Sequence, residues 1–210
     1  MRLQTKLLLL LIPLIVLPLL VLGWSAYSML VEDARNRMQE QMTTLLRQIN
    51  IQSEFKLRTA RANASLFAST NLLRRYLLQG QASPDSEALK EEVQEQLFSY
   101  QIAYPEYYEI RVLSVDGIEL IRSALGKVRN LTTDESGTPQ FIASRKETGK
   151  THTTFFRNPD TNEPALLVSK PLFFPVADPQ QKDSALELHG YLLLTVDLDF
   201  LQTHANRELI

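Results

Sequence analysis

From Leu7 to Val31 the chain carries no charged residue, and its first part, LLLLLIPLIVLPLLVLG, is almost purely aliphatic. Roughly 20 apolar residues suffice for a helix to cross a bilayer, so this run is predicted to be a transmembrane anchor. Pro13 and Pro18 are tolerable there, because bilayer helices accept proline when the freed carbonyls are satisfied locally. Arg2 and Lys6 precede the run, whereas Glu32 and Asp33 follow it before any arginine. The positive-inside rule then puts the N-terminus (residues 1–31 include the anchor) in the cytoplasm and the rest outside it. A cleaved signal peptide is the competing reading, but Ser25-Ala26-Tyr27-Ser28 is a poor cleavage signal.

Residues 32–80 follow a different pattern. Neither proline nor glycine occurs before Gly80, and Met38, Met42, Leu45 and Ile49 recur at helical spacing, as do Leu66, Leu73 and Leu77. One long helix, or two with a slight bend, is predicted, spanning roughly 70 Å at the α-helical rise and capped by Gly80. A helix of this length is not stable by propensity alone. Part of it must pack on a domain and part on a partner, and a homodimer through the membrane-proximal half is expected.

The remainder, residues 81–210, alternates short periodic segments with turn signals. Ser83-Pro84 starts a helix running to about Tyr100, with Leu89, Val93 and Leu97 on one face. Tyr104-Pro105 stops it. Tyr107 to Ser123, YYEIRVLSVDGIELIRS, reads as a hairpin around Asp116-Gly117. A two-residue loop pairs Val115 with Ile118, Leu113 with Leu120 and Arg111 with Arg122, leaving Glu119 on the opposite face from the arginines. Like charges facing each other are unfavourable, so Arg111 and Arg122 call for a shared anionic partner, inside the protein or outside it. A short helix from Pro139 and strands at 151–156, 165–172 and 188–196 complete an α+β domain with about five antiparallel strands. Asp197-Leu198-Asp199 opens a last short helix.

Composition narrows the chemistry. A formal charge of −2 over 210 residues gives no basic face for nucleic acid. The absence of cysteine excludes thiol catalysis, disulfides and the commoner structural zinc sites. His152, His189 and His204 have no metal-ligand spacing, and neither a phosphate loop nor a nucleophile motif is present. No enzyme activity, metal or cofactor is expected of this chain.

Several segments together resemble the extracytoplasmic Cache (PDC, PAS-like) sensor domains of bacterial membrane receptors. They are Tyr107 to Arg111, Val115 to Arg122, the step Lys170-Pro171-Leu172-Phe173, and Gly190 to Leu198. The resemblance covers roughly residues 31–202. It implies a long helix packed on one side of a PAS-like sheet and a small ligand on the other. It also implies a signal passed through the membrane to a histidine kinase, diguanylate cyclase or chemoreceptor module. Double Cache domains have a second, membrane-proximal subdomain and a returning membrane helix. This chain ends at Ile210, where the first subdomain should finish, so a fragment of a receptor is expected. Amino-acid-sensing members carry an Arg-x-Trp-Tyr element, whereas the only tryptophan here is Trp24. An amino-acid ligand is therefore not carried over.

The candidate ligand-binding residues are Arg111, Arg122, Tyr108, Phe155 and Lys170. Guanidinium forks suit carboxylate or phosphate, which makes a small anion the leading ligand. The plainer alternative pairs both arginines with nearby glutamates. Tyr104, Tyr107 and Tyr108 crowd the start of the first strand as pocket or core-edge residues. Phe155 and Phe156 cannot both point inward on one strand. A single-pass inner-membrane sensor is thus expected, and its rival is an envelope scaffold protein with no small-molecule ligand.

Overall fold

The computed structural model describes residues 3–79, 85–126, 132–147, 149–158, 162–175 and 186–198, with side chains described from Leu17 onward. The chain forms two compact units, Met1–Glu54 and Phe55–Ile210. The first is helical throughout its described part. It leaves Trp24, Met29, Met38, Met42 and Leu46 exposed, while Leu45 and Ile49 are half-buried. Among the described residues no helix is long and apolar enough to cross a membrane. The side chains of residues 1–16, which hold the first part of the apolar run, lie outside them.

Helix α1 (Leu3–Ala68) ends in the second unit, and α2 (Asn71–Gln79) follows after Ser69-Thr70. The expected bend falls there for a local reason. The Ser69 and Thr70 hydroxyls donate back to the Leu66 and Phe67 carbonyls at 2.8 and 3.1 Å, competing with the helical ladder. Gly80 and Ser83-Pro84, read as cap and start signal, lie outside the described residues. Helix α3 (Ser86–Ala103) buries Leu89, Val93 and Leu97 as its spacing predicts. Helix α4 (Pro139–Lys146) starts at a proline behind Thr138, whose side chain accepts from the Phe141 N–H.

Strands β1 (Tyr107–Leu113), β2 (Glu119–Ala124), β3 (His152–Arg157), β4 (Pro164–Pro175) and β5 (Leu186–Asp197) form one antiparallel sheet in the order β2-β1-β5-β4-β3. Its two faces carry separate cores. Ile110, Val112, Ile121, Val168, Leu192 and Leu194 pack with Ala60, Ala64 and Phe67 of α1, Leu73 of α2 and Val93 and Leu97 of α3. On the other face Leu113, Leu167, Tyr191 and Leu193 gather around Phe141 of α4, with Phe156 at the edge. The short helix expected at Asp197-Leu198-Asp199 extends past the described residues, which end at Leu198.

The hairpin departs from the predicted register in two places. Its loop has three residues, not two: the Gly117 N–H donates to the Ser114 carbonyl at 3.1 Å and the Ser114 N–H to the Ile118 carbonyl at 2.7 Å. Gly117 takes φ +94°, the positive-φ position that closes such loops. Leu113 consequently pairs with Glu119, and Leu120 is left over as a bulge before Val112 pairs with Ile121. The two one-residue shifts cancel. Arg111 does pair with Arg122, as predicted, but Glu119 moves onto their face. A second irregularity, between Tyr107 and Glu109, lets β1 bury Tyr107 in the helix-side core while Glu109 lines the opposite face.

Candidate ligand-binding cleft

On the α4 side of the sheet lies a cleft of about 200 Å³. Strands β1, β5, β4 and β3 contribute Glu109, Arg111, Leu193, Thr195, Leu167 and Phe156, and Glu135 and α4 close one side. Its floor therefore joins three apolar side chains to two charged ones and a threonine.

The charged part is built around Arg111, which is 3% exposed. Its Nε donates to Glu119 Oε2 at 2.8 Å, Nη1 to Glu135 Oε1 at 2.5 Å and Nη2 to the Thr132 carbonyl at 2.7 Å. Burial alone would lower the Arg111 pKa, but the hydrogen bond and charge of Glu135, with the charges of Glu109 and Glu119, outweigh it and hold the guanidinium firmly protonated. Arg122 donates to the same Glu119 oxygen from Nε at 2.9 Å and from Nη2 at 2.6 Å, and to the Thr132 carbonyl at 2.9 Å. The anion that the two facing arginines share is thus Glu119, brought to them by the Leu120 bulge. An outside anion would have to displace it.

Backbone pairing holds these partners in place. The Glu119 N–H donates to the Thr133 carbonyl and the Glu135 N–H to the Gly117 carbonyl, both at 2.9 Å, so Thr132 to Glu135 runs along β2. A side chain on Gly117 would collide with Phe141 and the Ser136 backbone, which explains a glycine where this segment crosses the turn.

Glu109 differs from its neighbours. It is 1% exposed, and its Oε1 has no hydrogen-bond partner among the described residues. Among the described residues the nearest cation, Arg122 Nε, stands 3.8 Å away. Burial pushes the Glu109 carboxyl up to about 7; Arg111 and Arg122 oppose the rise, and Glu119 and Glu135 add to it. Glu109 was absent from the sequence-based candidates. Its strand position was visible, but the irregularity at Tyr107 that turns it into the cleft was not.

The other predicted residues fall elsewhere. Arg122 reaches the cluster through Glu119 but borders a separate groove beside α3, with Glu91, Glu95 and Phe98. Tyr108 is half-buried on β1 and hydrogen-bonds Asn158, and burial pushes its phenol up to about 12. Phe155 does not line the cleft: it is 60% exposed, and strand alternation gives that place to Phe156. Lys170 pairs with Leu192, whose side chain belongs to the helix-side core, and so sits away from the cleft.

Solved structures share this architecture. The domain of a sensory box/GGDEF family protein from Vibrio parahaemolyticus matches at TM-score 0.52 and 18% identity, over 73% of this chain and 56% of that one. The sensor domain of the V. cholerae histidine kinase DctB matches at TM-score 0.56 and 10% identity, over 79% and 58%. The ligand-binding domain of the Campylobacter jejuni chemoreceptor Tlp3, solved with 4-methylisoleucine, matches at TM-score 0.54 and 15% identity, over 77% and 59%. The chain therefore has the fold of these sensor domains, as the Cache resemblance implies, and spans a little over half their length. No protein-family model and no curated protein sequence matches it.

Proposed function

We propose that this chain is the ligand-sensing part of a membrane-anchored signal-transduction receptor, with the cleft on the α4 face as its ligand site. The observation that carries the reading is a cleft of about 200 Å³, lined by charged, polar and apolar side chains, on the sheet face away from α1, in a fold shared with sensor domains. The apolar run at Leu7 to Val31 supports a single-pass anchor, with the domain on the extracytoplasmic side. The exposed Met38, Met42 and Leu46, spaced by four, support self-association through α1. A membrane-proximal second subdomain and an output module would belong to the same receptor.

In this reading Arg111 organises the site, and Glu119 and Glu135 keep its charge satisfied. Phe156, Leu167 and Leu193 offer the ligand an apolar bed. The test is a thermal-shift screen of the full chain in non-ionic detergent against a broad library of small metabolites. Stabilising compounds are expected, and Gln140→Trp, which fills the cleft from α4, should abolish their effect. Hits that persist in that variant would place the site elsewhere, and no hit across the library would favour the scaffold alternative.

A further inference from the structure

Where the apolar run ends, helix α1 carries an open groove of about 500 Å³ with mixed chemistry. Trp24, Tyr27, Ser28 and Val31 line the part nearer the run, and Glu32 and Arg35 the part beyond it. Trp24, Ser28, Val31 and Arg35 recur at helical spacing and so share one face. Trp24 is 76% and Tyr27 66% exposed, and aromatic side chains of this kind gather at the bilayer–water boundary. The charges that follow are not spent alike. Arg37 pairs with Asp33 at 2.8 Å, one turn apart. Glu32 and Arg35, three residues apart, form no ion pair among the described residues, which leaves one open carboxylate and one open guanidinium side by side.

A zwitterionic phospholipid headgroup has the complementary pair, a phosphate and a primary ammonium. Guanidinium forks suit phosphate oxygens, and a primary ammonium offers three donors to a carboxylate. The depth agrees. Roughly 20 residues span the hydrocarbon, so a crossing that starts at Leu7 leaves it near Ala26. Glu32 and Arg35 then stand roughly 9 and 13 Å further out at the helical rise. Side chains on a helix tilt toward its N-terminus, here toward the bilayer, and the arginine stem reaches further back. We propose that this groove seats the headgroup of a zwitterionic phospholipid bearing a primary amine, its phosphate on Arg35, its ammonium on Glu32 and its upper acyl chains against Trp24 and Tyr27. This rests on the apolar run being a membrane anchor with the domain outside. Met38, Met42 and Leu46 lie further from the bilayer and stay available for self-association.

Trp24 is the only tryptophan in the chain, so its fluorescence reports on this groove alone. The full chain is reconstituted into vesicles of equimolar phosphatidylethanolamine and phosphatidylcholine. Bromine, a contact quencher, is placed high on the acyl chains of one lipid or of the other. The two headgroups carry the same charges, but the trimethylammonium of choline has no N–H to donate. Brominated phosphatidylethanolamine should quench more, by about a twofold to threefold preference, the range of an exposed ion pair. Equimolar mixtures with phosphatidylglycerol, which lacks the cation, should favour phosphatidylethanolamine as well. Glu32→Gln should make phosphatidylethanolamine and phosphatidylcholine equal quenchers and shift the second mixture toward phosphatidylglycerol. Equal quenching by the first two lipids in the unmodified chain, or a preference for phosphatidylglycerol, would overturn the headgroup site and leave the anchor standing. A phosphatidylethanolamine preference that survives Glu32→Gln would overturn the seat on Glu32, and the proposal with it. No quenching by any brominated lipid would overturn the anchor and the headgroup site together.

Discussion

Removing the charge of Glu109 should change how stability depends on pH. The carboxyl moves from an ordinary 4.5 to about 7 on folding, and the side chain is almost fully buried. Between those values the folded chain holds a proton that the unfolded chain has released, so stability falls as pH rises through the window and levels off above it. At about 1.4 kcal/mol per pKa unit, the loss is on the order of 3 kcal/mol. Glu109→Gln keeps the shape of the protonated acid and lacks the titration. Near pH 4.5 the variant should match the unmodified chain. By pH 8 it should be the more stable, with the gap opening mostly between pH 5 and pH 7. The assay is urea unfolding of the full chain in detergent, followed by the near-ultraviolet circular dichroism of the buried tyrosines at several pH values. Only the difference between the two proteins counts, because other carboxylates titrate in both. Parallel stability curves, or a gap that closes with rising pH, would refute the buried and unsatisfied Glu109.

Three further outcomes can be checked by the same unfolding assay at pH 7. Arg111→Met should cost about 3–5 kcal/mol, since it removes the buried guanidinium that pairs with both Glu119 and Glu135, whereas Arg122→Ala, at a side chain 21% exposed, should cost clearly less. Gly117→Ala should cost about 1–3 kcal/mol, because the new methyl meets Phe141 at 2.8 Å and φ +94° disfavours a side chain. Tyr107→Phe should cost about 1–2 kcal/mol, since it leaves the Asn63 amide without its buried acceptor at 2.7 Å.

What was legible in the sequence was whatever depends on period. Leu89, Val93 and Leu97 sit on the buried face of α3, and Pro139 opens α4. The five-strand antiparallel sheet could be read from alternation and turn residues, and Arg111 does face Arg122. That pair was reached through two errors that offset each other, a loop one residue too short and an unseen bulge at Leu120. Bulges depend on what the neighbouring strand and the Thr132 to Glu135 segment demand, and period-2 patterning carries no trace of that demand. Hence the sharing of Glu119, the contribution of Glu135 and the inward turn of Glu109 stayed hidden. Phe155 and Phe156 show the same limit in small. Alternation says that only one of them points into the cleft, and which one is set by pairing with Leu166 and Ala165 of β4.

Strand β1 ties the cleft to the helices in the second unit through bonds that leave little slack. The Tyr107 hydroxyl accepts from Asn63 of α1 at 2.7 Å, and the Tyr107 carbonyl accepts from Gln101 of α3 at 2.9 Å. Gln101 in turn accepts from the Ser123 hydroxyl of β2 at 2.5 Å. All four residues are buried. A displacement of β1 at Glu109 therefore has two courses. It breaks these bonds, at about 1–3 kcal/mol for each polar group left unsatisfied, or it carries the adjoining parts of α1, α3 and β2 along. Phe67 stacks on Tyr100 at 3.9 Å and meets Tyr107 edge-on, so the apolar packing around the network also resists separation. Concerted movement is the cheaper course. A ligand that contacts Glu109 can shift α1 only by the difference in its affinity for the two arrangements, and β1 is the element through which that difference would be expressed.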